Sequence, residues 1–75
     1  MNVGQLIEQL RELDPNMMVV RAGYEGGLTE IGFVNTIEAL LNVNEEWYYG
    51  EHEEAEEYAV GKYPNAQRAK VVELA

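Results

Sequence analysis

The chain has 75 residues, with 14 Asp and Glu, 5 Lys and Arg, one His and no Cys, for a formal net charge of -9. That length holds one small domain, residues 1–75, and excludes two lobes closing over a substrate, since independent domains need about 50–200 residues each. The missing cysteine excludes disulfides, thiolate metal sites, iron–sulfur clusters and a Cys nucleophile.

Asn2 and Gln5 have the spacing of a capping box, so a helix is expected to begin there. Val3, Leu6, Ile7, Leu10 and Leu13 recur every three or four residues and form one apolar stripe, while Glu8, Gln9, Arg11 and Glu12 face water. Pro15 disfavours helical geometry at Asp14, which predicts a stop near Leu13. Met17 to Ala22 is short, apolar and bounded by turn formers, and reads as a strand. The three glycines of Gly23-Tyr24-Glu25-Gly26-Gly27 then suit a chain reversal, making an antiparallel hairpin the simplest continuation.

From Ile31 the odd positions Ile31, Phe33, Asn35, Ile37, Ala39, Leu41 and Val43 alternate with more polar even ones, predicting a long strand with its odd face toward the helix. Thr36 to Leu41 also satisfies a helical period, and the strand is the preferred reading. Asn44 to Tyr63 holds Trp47-Tyr48-Tyr49 and the acidic run Glu51 to Glu57, and is expected to be a long loop with a short helix. Arg68 to Leu74 reads as the last strand. The expected architecture is α+β: one N-terminal helix packed on a small, mainly antiparallel three-stranded sheet, with a long acidic, aromatic loop. A core this small predicts marginal stability, so oligomerisation, most simply a homodimer, is the default expectation.

Charge is unevenly placed. Ala22 to Gly61 contains ten glutamates and no Lys or Arg. A nucleic-acid backbone or an anionic membrane surface demands clustered Lys and Arg, so both are disfavoured as direct partners, and a basic protein surface is favoured. The start Met1-Asn2-Val3-Gly4 shows neither the basic n-region nor the apolar h-region of a secretory signal, and no apolar run reaches the roughly 18 residues of a membrane span, so a cytoplasmic location is expected.

The runs Leu10-Arg11-Glu12-Leu13-Asp14-Pro15, Gly23-Tyr24-Glu25-Gly26-Gly27, Leu41-Asn42-Val43-Asn44 and Trp47-Tyr48-Tyr49-Gly50-Glu51-His52-Glu53 together resemble a group of small uncharacterised bacterial and bacteriophage proteins. The resemblance spans most of the chain and implies a compact bacterial or phage domain with no assigned activity. In a phage setting it would suit an inhibitor that occupies a basic, nucleic-acid-binding cleft of a host protein.

Candidate chemistry is sparse. His52 and Glu56 would share one face if this stretch were helical, and with Glu51, Glu53, Glu54 and Glu57 they supply oxygen-rich ligands, but one His and no Cys fall short of a zinc set. No metal and no cofactor is expected. Glu51 and Glu53 would divide acid and base roles only if burial separated their pKa values, and His52 is the best candidate for acid–base work. The chain has no serine, and the Gly23 to Gly27 loop lacks the Lys of a phosphate loop.

Six large amphipathic rings, Tyr24, Trp47, Tyr48, Tyr49, Tyr58 and Tyr63, are the least ordinary feature, because rings with polar tips suit interfaces as well as core caps. The expectation is a non-enzymatic interaction module whose acidic, aromatic face binds a basic partner through Tyr24, Glu25, Trp47, Tyr48, Tyr49, Glu51, His52, Glu53 and Glu54. The alternative is a homo-oligomeric small-ligand binder with an aromatic pocket built from the loops around Tyr24 and Trp47 to Tyr49.

Overall fold

The computed structural model describes residues Met1–Ala75 and shows an α+β fold with elements in the order α1 (Val3–Leu10), β1 (Val20–Ala22), β2 (Leu28–Glu30), β3 (Val34–Leu40), β4 (Glu53–Glu54), α2 (Glu57–Lys62) and β5 (Arg68–Leu74). The strands form a two-stranded sheet, β1-β2, and a three-stranded sheet in the order β4-β3-β5. Contacts group the chain into two compact units, Met1–Phe33 with Leu74–Ala75, and Val34–Glu73.

In the first unit the capping box forms as its spacing predicts: the Gln5 backbone N–H donates to Asn2 Oδ1 and the Asn2 N–H donates to Gln5 Oε1, both at 2.8 Å. Helix α1 ends at Leu10 with Arg11 as its cap, three residues short of the expected stop. Past that point the chain tightens, with the Leu13 N–H bonded to the Leu10 carbonyl and the Asn16 N–H bonded to Asp14 Oδ1. The proline therefore acts through a turn reaching several residues upstream of it. None of the helix residues is fully buried.

The β1–β2 hairpin is antiparallel, with Val20 opposite Glu30 and Ala22 opposite Leu28. Gly26 and Gly27 take φ of 126° and 68°, conformations that a side chain would oppose. The strand starts at Val20 instead of Met17, because the Met17 N–H is already used in a turn to the Asp14 carbonyl.

The long strand expected from Ile31 is divided. The Ile31 N–H still bonds to the Val19 carbonyl and extends the hairpin, Gly32 and Phe33 bond to the Ala75 carbonyl, and only from Val34 does β3 proper begin. One apolar, alternating run thus serves two ladders, which is why its pattern reads as continuous. Thr36 to Leu40 is strand and not helical turn.

In the second unit the odd positions Asn35, Ile37 and Ala39 are more enclosed than Val34, Thr36 and Glu38, as the alternation requires. Leu40 breaks the alternation and is the most buried residue at 1% exposure. Ala39 and Ala59 complete the fully buried apolar set. Strand β4 pairs antiparallel with β3, Ala39 opposite Glu54 and Leu40 opposite Glu53. On the other side of β3, Leu41 N–H donates to the Gln67 carbonyl, and Arg68 Nη1 meets Glu38 Oε1 at 3.0 Å. The expected long loop from Asn44 to Tyr63 is therefore interrupted by β4 and α2, and its longest irregular stretch is residues 44–52. No helix is long and apolar enough to cross a membrane.

Candidate functional site

The segment between β3 and β4 is irregular in path yet closed by hydrogen bonds. Asn42 takes the left-handed conformation, φ 55°, which Asn tolerates better than most residues. Its backbone N–H donates to His52 Nδ1 at 2.9 Å. The N–H groups of Val43 and Asn44 both donate to the Glu51 carbonyl, and the Asn44 side-chain amide donates to the Gly50 carbonyl and to Glu53 Oε1, each at 2.8 Å. A turn with the Tyr49 N–H on the Glu46 carbonyl closes the tip.

That closure places Trp47, Tyr48 and Tyr49 at the tip as a contiguous row. Trp47 and Tyr48 meet edge to face, with centroids 5.6 Å apart and planes at 85°, and Tyr48 tilts against Tyr49 at 5.0 Å. The rings contact one another while staying open to water: Trp47 is 91% exposed, Tyr48 63% and Tyr49 61%. Glu45, Glu46 and Glu51 lie exposed on the same segment. No Lys or Arg forms an ion pair with them, since the Lys and Arg ion pairs in the chain are Arg11 with Glu8 and Arg68 with Glu38.

The remaining expected site residues divide between the two units. Glu53 and Glu54 sit on β4, beside the aromatic segment, and His52 immediately precedes them. Tyr24 and Glu25 belong to the first unit, where Tyr24 is 98% exposed at the hairpin turn. His52 and Glu56 do not share a helical face, because β4 lies between them and α2 starts only at Glu57. No group of three or more His, Asp or Glu side chains converges on a point where a metal ion could sit. Glu54, although exposed, is held above the ordinary carboxyl value of 4.5, first by a side-chain hydrogen bond with Glu56, then by some loss of hydration, then by the charges of Glu56 and Glu73.

A second feature of this unit joins two of the expected site residues, Tyr49 and Glu53, to five that were not among them. Asn44, Tyr49, Glu53, Tyr58, Ala59, Lys62 and Tyr63 line a cleft of about 190 Å³. Lys62 Nζ lies 5.3 Å from the centroid of the Tyr63 ring. The ammonium is held above its ordinary value of 10.5, chiefly by the Tyr63 phenol as hydrogen-bond partner and then as a charge, followed by the Tyr58 phenol, with Glu53 a smaller contribution. The one available signal was the spacing of Tyr58 and Lys62, four apart just before the helix-ending Tyr63-Pro64.

Comparison with protein-family models, with curated proteins and with solved structures returned no match.

Proposed function

We propose that the chain is a non-enzymatic protein-interaction module whose second unit docks on a basic protein surface. The carrying observation is the row Trp47-Tyr48-Tyr49, packed ring on ring yet exposed, on a closed tip whose carboxylates form no ion pair with a Lys or Arg of the chain. Exposed aromatics held by backbone hydrogen bonds lose little freedom on binding, and a Trp or Tyr in an interface centre is the commonest energetic anchor. The surrounding glutamates supply complementarity and faster encounter with a cationic surface more than affinity itself. Acid–base catalysis has no support in the arrangement: the His52 Nδ1 is occupied by the Asn42 amide, and Glu51 and Glu53 are both exposed.

The test is capture of basic proteins at low ionic strength by the wild-type chain and by Trp47→Ala. A partner held by wild type, released as salt shortens the Debye length toward about 3 Å near 1 M, and lost with Trp47→Ala fits the proposal. Capture that is indifferent to both salt and Trp47 would refute it.

A further inference from the structure

The cleft beside the aromatic row has the composition of a receptor for a single cationic side chain. Three phenols, Tyr49, Tyr58 and Tyr63, stand around it, and Glu53 supplies the carboxylate. Asn44 fixes that carboxylate by donating to Oε1 at 2.8 Å, and the second oxygen accepts no hydrogen bond from the chain. Glu53 is the one carboxylate in the lining, and the chain around it carries a net charge of -9, which favours an approaching cation over an anion.

The cleft already shows how it treats a cation. Lys62 has no carboxylate within ion-pair distance, and its ammonium lies over the face of Tyr63. A lysine on a short helix with a flexible four-carbon stem gives up such a position readily, whereas a planar guanidinium stacks on a phenol and pairs with a carboxylate in one pose. A cleft of about 190 Å³ holds the equivalent of about six waters at about 30 Å³ each, the size of one long side chain and not of a folded element.

We propose that this cleft receives an arginine side chain of the basic partner, its guanidinium pairing with Glu53 and stacking on Tyr63 and Tyr58, and that Lys62 is a resident competitor which the arginine displaces. The proposal rests on the docking reading above and gives it a specific anchor, separate from Trp47.

The experiment titrates the full chain at low salt with a capped Gly-Arg-Gly peptide and with its Gly-Gln-Gly counterpart, following the ring-proton resonances of Tyr49, Tyr58 and Tyr63. Arginine-dependent shifts in these rings are expected. Glu53→Gln, which keeps the oxygen that Asn44 bonds, weakens the peptide about tenfold, as loss of a charged hydrogen bond implies. Tyr58→Leu, at a ring 79% exposed and so neutral to folding, weakens it about threefold, and Lys62→Gln tightens it by a similar factor. Shifts that are the same for both peptides, or affinity unchanged in Glu53→Gln and Lys62→Gln, would overturn the cleft assignment. Either result leaves the docking proposal standing, because that proposal fails only through its own salt and Trp47→Ala outcome.

Discussion

The backbone N–H of Asn42 donates to Nδ1 of His52 across the neck of the aromatic segment at 2.9 Å. The sole histidine of the chain is thus a structural acceptor, and the nitrogen that would serve as a base is the one that closes the loop. His52→Ala is expected to cost about 0.5–1.5 kcal/mol, the ordinary worth of one hydrogen bond. Asn42→Val, which forces a β-branched residue into φ 55°, costs about 1–2 kcal/mol, while Asn42→Gly is close to neutral. Urea denaturation of the three variants checks the order. A neutral Asn42→Val would show that the left-handed turn does not hold the segment.

Leu40 is the residue on which the second unit closes. At 1% exposure, beside Ala39 and near no large buried neighbour, its loss leaves a cavity with little to collapse into it. Leu40→Ala is expected to cost about 2–5 kcal/mol, comparable to the whole stability that a domain of this size commands. Met18→Ala, at 64% exposure in the first unit, should stay within about 0.5 kcal/mol. Far-UV circular dichroism during thermal unfolding separates them, and a Leu40→Ala protein as stable as Met18→Ala would contradict the assignment of the core.

The hairpin of the first unit depends on a glycine that the sequence marks only as one of three. A Cβ at Gly23 would stand 2.3 Å from the Gly26 carbonyl oxygen, whereas one at Gly50 would meet nothing within 4 Å. Gly23→Ala should therefore open the β1–β2 ladder at a cost of about 1–3 kcal/mol, and Gly50→Ala should not. Amide exchange at Gly23 and Ile31, which bond to the Gly27 and Val19 carbonyls, reports the opening directly. Protection unchanged in Gly23→Ala would show that the turn can rearrange freely.

Local patterns were legible where one interaction decides the outcome. Asn2 and Gln5 announce the capping box, the alternation Asn35, Ile37, Ala39 announces the enclosed face of β3, and the Gly23 to Gly27 run announces a reversal. Boundaries set by pairing were not legible. Whether Ile31 or Val34 starts the strand depends on where the chain exchanges one ladder for another, and β4 is only two residues long, too short for any periodicity. The aromatic row was visible as Trp47-Tyr48-Tyr49 because its members are adjacent in the chain. The cleft was not, since Asn44, Glu53 and Lys62 come from three separate elements.

Acid and alkali should act on this unit with predictable signs. Glu54 is raised above 4.5 chiefly through its hydrogen bond with Glu56, with some loss of hydration and the charges of Glu56 and Glu73 adding to it, so the folded state binds its proton more tightly than the unfolded chain does. The ionised carboxylate is therefore the unfavourable form in the fold, and stability rises as pH falls from about 7 into the range just above 4.5. Lys62, raised above 10.5, contributes in full below that value and ceases to contribute as pH climbs through its higher folded value. Thermal midpoints should accordingly increase as pH falls from neutrality toward 4.5 and decline at alkaline pH above 10.5. Glu54→Gln should raise the neutral-pH midpoint and flatten the acid response, because its amide carries no charge for Glu56 and Glu73 to repel. A Glu54→Gln protein with the same acid response as wild type would place the response on other carboxylates and remove Glu54 from the account.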